Sequence, residues 1–163
     1  MIAALVLAAA SAAPAAAPAA PNFYAIPIGQ GVTLEEARKL AAVAAAEAKK
    51  NGWFMAIAVV DPGGTLVYYE KMDNTQMGSA QVAIQKARSA ALYKRPTKLF
   101  EEAVAKGGAG VRILRLEGAV PLEGGVPLVS EGKLIGAIGV SGDLSEHDGI
   151  CANAAAATLQ AQK

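Results

Sequence analysis

The one histidine and the one cysteine of this 163-residue chain, His147 and Cys151, stand four positions apart. On a helix that spacing puts both side chains on one face. An imidazole and a thiolate so placed could hold one soft metal, or the imidazole could ligate a haem iron. The first turn of a helix disfavours imidazolium, and the neutral ring is the form a metal needs. Two donors are half of a site, and no further His or Cys exists to complete it. The plain alternative is a surface histidine beside a cysteine buried as a small apolar residue. With no CxxC pair and no second cysteine, a zinc ribbon and an internal disulfide are both excluded.

Other residues could serve a ligand. Tyr68 and Tyr69 fall in a β-rich run and point to opposite sheet faces. One is expected in the core, and the other is either a haem-iron phenolate or an interface aromatic. Met72 is a further soft donor. Lys71, Lys86 and Arg88 could pair with haem propionates or a small carboxylate; otherwise they belong to solvated faces. Asp61, Asp73 and Asp148 could gather at one rim to bind a cation or polarise a ligand. Local roles explain two of them, because Asp61 begins a turn and Asp148 completes a helix cap. The glycines at 124, 125, 136, 139 and 142 match neither dinucleotide nor P-loop spacing, so nucleotide binding is rejected. They mark close backbone approach instead. No Ser/His/Asp triad can be argued.

The elements that must position these residues follow from pattern. Thr33 to Glu36 is a capping box opening a helix with Leu34, Ala37, Leu40, Ala41, Ala44 and Ala48 on its apolar stripe, stopped at Asn51-Gly52. Phe54 to Val60 reads as a strand buried on both faces, turned at Asp61-Pro62-Gly63-Gly64 into a strand from Thr65 to Met72. Ser79 caps a helix running to about Tyr93. A shorter helix starts at Pro96-Thr97 and ends at Gly107-Gly108. Ile113 to Val120 reads as a strand. Val126 to Val129 and Leu134 to Val140 form a second hairpin. Ser145 to Asp148 is a second capping box, opening an alanine-rich helix to about Gln160. The order gives an α/β (α+β) domain in which a mainly antiparallel sheet is packed by helices.

Bulk composition narrows the partners. Fifteen Lys and Arg face 14 Asp and Glu, for a net charge of +1, so no basic excess exists to hold a phosphate backbone. Nucleic acid is not an expected partner. Residues 1–31 read as a leader and 32–163 as the folded domain. Ile2 to Ala10 is a short apolar run followed by small residues and prolines, like a secretory signal, although no Lys or Arg precedes it. It is too short to span a membrane. The alternative is an Ala/Pro-rich linker. Export makes the protein periplasmic or secreted; without it the protein is cytoplasmic.

Several motifs occur together in one order: Val59-Val60-Asp61, Gly63-Gly64, Leu66, Lys71-Met72-Asp73, Lys86-Ala87, Gly124-Gly125-Val126-Pro127, Ile135 to Gly142, and Asp148. Over about residues 33–160 this set resembles the GlcG/HbpS family of haem-degrading-domain proteins, and is similar to the C-terminal part of PduO-type cobalamin enzymes. Lys71 stands where arginine is usual. The resemblance implies a profilin-like or PAS-like sandwich, a homo-oligomer from dimer to octamer, and haem or corrinoid binding for some members. Corrinoid-binding relatives use a histidine near the start of the first helix, and residues 30–45 contain none here. Three readings follow. The first is an exported binder of haem or a related tetrapyrrole, storing or degrading it. The second is an enzyme acting on a small organic acid or aromatic compound through Asp61, Lys86 or His147. The third is an oligomeric accessory subunit, packed through the small residues Ala152 and Ala154 to Ala157.

Overall fold

The computed structural model describes residues 22–160. The first helix, α1 (Leu34–Asn51), starts where the capping box places it. The Thr33 hydroxyl accepts from the Glu36 amide at 3.2 Å, and the Glu36 carboxylate accepts from the Thr33 amide at 2.8 Å. Gly52 closes the helix at φ +74°, a left-handed cap that glycine adopts without strain. Ala37, Leu40, Ala41, Ala44 and Ala48 form its buried stripe, whereas Leu34 is half exposed.

Strands β1 (Ala56–Val60), β2 (Leu66–Lys71), β3 (Gly125–Ser130) and β4 (Lys133–Ser141) form one antiparallel sheet in the order β2-β1-β4-β3. The expected α+β architecture is therefore the observed one. Every residue of β1 is buried, because the strand is central and covered on both sides. Ile57 and Val59 of β1, with Ile138 and Val140 of β4, face the layer made by α1 and α4 (Ser145–Thr158). Ala56, Ala58, Val60 and Ala137 face α2 (Ser79–Leu92). Branched residues thus point to one side and, apart from Val60, alanines to the other. The small side lets α2 approach closely: a Cβ at Gly139 would collide with backbone atoms of Ala83 and Ala87. Cys151, Ala152 and Ala155 of α4 pack in the core of the same chain, so part of the small-residue stripe is spent inside the fold.

Upstream of the first cap, the chain lies along the start of β4. Leu134 donates to the Pro27 carbonyl, and Gly29 and Val32 donate to the carbonyls of Leu134 and Ile135, each at 2.8 Å. Of the expected leader, residues 1–31, the apolar run and small-residue zone from Ile2 to Ala20 fall outside the described residues.

Local expectations fail at three places. Ile113 to Val120 is not a strand; Gly108–Arg115 is a 3-10 turn that follows α3 (Lys98–Ala105). Gly110 sits against the Ala103 backbone too tightly for any side chain, and Gly118 turns the chain at φ +73°, so the segment folds back on α3. Ser79 does not cap α2, since Gly78 holds that position and the Ser79 hydroxyl turns inward to meet the Ser141 hydroxyl at 3.2 Å. Ser145 makes no capping bond either, and Leu144 holds the N-cap of α4.

Candidate functional site

The expected Ser145–Asp148 capping box is replaced by a longer-range contact. Asp148 turns away from its own helix end into the protein, where its Oδ2 accepts from Lys86 Nζ at 2.7 Å. Lys86 is 1 % and Asp148 2 % exposed, so the solvated helix face expected for Lys86 is a buried ion pair instead. The pair joins α2 to α4, which pack on opposite faces of the sheet. It crosses at Gly124, just before β3, where a Cβ would stand 2.8 Å from Asp148 Cβ and 2.9 Å from Lys86 Nζ. Burial pushes the Asp148 carboxyl above its ordinary value, and the Lys86 ammonium draws it back. The hydroxyl of Thr97, also buried, accepts from the Gly125 amide at 2.9 Å and closes the other side of the glycine pair.

A second constellation lies one residue before Asp148. The His147 ring stacks on Trp53, with centroids 4.0 Å apart and planes at 11°. Its Nδ1 is buried, without a hydrogen bond among the described residues, and stands 3.5 Å from Asp143 Oδ2. Asp143 is tied to the buried pair, because its amide donates to Asp148 Oδ1 at 3.4 Å. The stack sits where β1 begins. The Gly142 α-carbon faces the Phe54 carbonyl and Met55 so closely that a side chain there would collide. Phe54, next to Trp53 in the chain, borders a groove of about 390 Å³ lined also by Ala45, Lys49, Glu70, Lys71, Met72 and Asp73.

Residues 32–157 match the family described as "Haem degrading protein HbpS-like". The chain belongs to that family. Protein GlcG of Escherichia coli (strain K12) is 45% identical over 95 residues, which is 58% of this chain and 69% of GlcG. A double mutant of HbpS from Streptomyces reticuli superposes with TM-score 0.73 at 31% identity, covering 90% of this chain and 99% of the other. The PduOC:heme complex superposes with TM-score 0.70 at 28% identity, covering 78% of this chain and 94% of the other.

In this HbpS-like protein three of the motifs that carried the resemblance converge. Lys86, Gly124-Gly125 and Asp148 meet at one end of the sheet. The residues singled out for ligand chemistry do not all gather. His147, Lys71 and Met72 lie around the start of β1, where Met72 Sδ accepts from the Met55 amide at 3.4 Å and Lys71 Nζ donates to the Thr75 carbonyl at 3.4 Å. Arg88 is apart, on a cleft of about 670 Å³ with Gln85, Leu92, Tyr93 and residues 117–120. Tyr68 and Tyr69 do take opposite faces, packing on the α1 side and the α2 side. The Tyr68 hydroxyl donates to Glu70 Oε2 at 2.9 Å, which raises its phenol above the ordinary value, and burial raises that of Tyr69. Both shifts oppose a phenolate ligand.

Cys151 points into the core and is fully buried, and that burial pushes its thiol up to about 12. A thiolate partner for His147 is thereby disfavoured. Among the described residues no group of three or more His, Cys, Asp or Glu could hold a metal ion. The three aspartates are also separated. Asp61 follows the end of β1, where it accepts from the Thr65 amide at 2.9 Å, and Asp73 lies beyond the opposite end. Trp53 and Asp143 are the site residues that sequence reasoning missed. Asp143 stands four positions before His147, a spacing that could have revealed it. Trp53 reaches His147 only through the fold.

Proposed function

We propose that this protein binds haem or a closely related tetrapyrrole where β1 begins, with His147 as the axial ligand. One observation carries the reading: an imidazole clamped on Trp53, with Nδ1 turned to a carboxylate. Histidines that bind metals commonly give one ring nitrogen to iron or zinc and orient the other against a carboxylate. Nε2 is the nitrogen left for iron. The groove supplies apolar surface from Phe54 and Met72, and Lys49 and Lys71 offer cations for propionates beside the carboxylates of Glu70 and Asp73. The family membership and the haem complex of the similar PduOC support the same ligand. A bound haem would supply redox and ligand-exchange chemistry at iron; the chain's own residues hold and orient it. Haemin titration of the protein followed by absorbance tests the reading. A saturable Soret shift supports it, and absence of one contradicts it.

Two accompanying proposals concern location and assembly. Export is supported by the apolar run Ile2 to Ala10 with its small-residue zone, and N-terminal sequencing of the protein from fractionated cells tests it. A processed chain outside the cytoplasm supports export, and an intact Met1 within the cytoplasm contradicts it. Self-association is supported by Leu99, Val111, Leu114, Leu116 and Leu122, all at least 38% exposed around α3 and the turn after it. Native mass distinguishes a monomer from an oligomer.

A further inference from the structure

We propose that the buried Lys86–Asp148 ion pair is a positioning device for the His147 imidazole. The functional meaning rests on the haem reading above; the geometry does not. The chain of contacts is continuous. Lys86 Nζ donates to Asp148 Oδ2 at 2.7 Å, and the Asp143 amide donates to Asp148 Oδ1 at 3.4 Å. The Asp143 carboxylate accepts from the Leu144 amide at 2.8 Å through Oδ1 and faces His147 Nδ1 at 3.5 Å through Oδ2. The Asp148 amide donates back to the Leu144 carbonyl at 3.0 Å. One carboxylate therefore binds α2 with one oxygen and the loop before α4 with the other. That loop sets the only charged group standing against the buried Nδ1 among the described residues.

A purely structural pair would have an easier form. Apolar residues of similar volume stabilise a core as well as a buried ion pair, or better. An ion pair adds direction: it fixes the carboxylate plane, and through it the loop. The Asp148 position then serves the residue beside it in sequence. Gly124 leaves the room that this crossing needs.

The test uses a double variant, Lys86→Met with Asp148→Leu, which replaces the pair by apolar groups. The chain holds one histidine and one tryptophan, so the imidazole protons of His147 are a single resolvable set in a proton NMR spectrum. In the unsubstituted protein without haem, stacking on Trp53 shifts them upfield. The double variant is expected to keep dispersed methyl signals and lose that upfield shift, and to bind haemin about tenfold to a hundredfold more weakly. A folded double variant with unchanged His147 shifts overturns the inference. Should the apolar pair fail to fold, Asp148→Asn preserves shape and breaks the charge pairing, and the same comparison applies. Asp143→Ala, on the exposed loop, tests the last link with the pair intact. Because the NMR readout needs no haem, a failed haemin titration sinks the haem reading without deciding this one.

Discussion

His147 lies flat on Trp53, with ring centroids 4.0 Å apart, and these are the one histidine and the one tryptophan of the chain. The stack fixes the plane of a potential iron ligand and puts a fluorophore beside it. Haem bound through His147 must therefore quench Trp53 emission. Titration with haemin is expected to remove most of the fluorescence in step with the Soret change. Emission that persists at saturating haem would place the ligand elsewhere.

Lys86 and Asp148 make a second prediction, about stability. Removing one partner leaves the other charge buried, a change that costs about 3–5 kcal/mol. Lys86→Met alone should lower the unfolding free energy by about that amount in urea. Adding Asp148→Leu should recover much of the loss. A single variant within about 1 kcal/mol of the parent would show that the pair is not held as described.

Gly124 should tolerate nothing larger. Its φ of +124° is open to glycine, and a Cβ would approach the Val140 carbonyl oxygen to 2.6 Å as well as both members of the ion pair. Gly124→Ala is expected to destabilise by more than about 2 kcal/mol, with overpacking and backbone strain acting together. Thermal unfolding measures it. A neutral outcome would contradict the crossing geometry.

Cys151 should be inert in the folded protein. Its thiol is fully buried and raised to about 12, chiefly by desolvation, with Asp148 and Glu47 adding repulsion. The thiolate fraction at pH 8 is then about a thousandfold below that of a free cysteine. Labelling by an aromatic disulfide should be at least about a hundredfold slower than in denaturant and should accelerate with rising pH. Fast labelling at neutral pH would revive Cys151 as a metal ligand.

What the sequence revealed and what it hid divide along physical lines. Thr33 and Glu36 announce the start of α1 because both halves of a capping box are local. Phe54 to Val60 announces the central strand because its apolar run is continuous, and burial is complete from Met55 onward while Phe54 stays half exposed. Ser145 to Asp148 carries the same local signal as Thr33 to Glu36 and takes a different course, since a lysine 62 positions earlier outbids the helix end for the carboxylate. Ile113 to Val120 has the composition of a strand, but Gly108–Arg115 winds as a 3-10 turn and Gly118 turns the chain at φ +73°. Ligand residues were legible by type and hidden by place. His147 keeps its prominence, while Trp53, its stacking partner, is distant in sequence and close only after β1 and α4 are assembled.

The most direct measurement is a haemin titration of the protein and of His147→Ala, followed by absorbance with circular dichroism confirming the fold of both. A saturable Soret shift is expected in the parent, and its loss, or a weakening of at least about a hundredfold, in the variant. A variant that keeps both the shift and the affinity would contradict the assignment of His147, and a parent with no saturable shift would contradict haem binding itself.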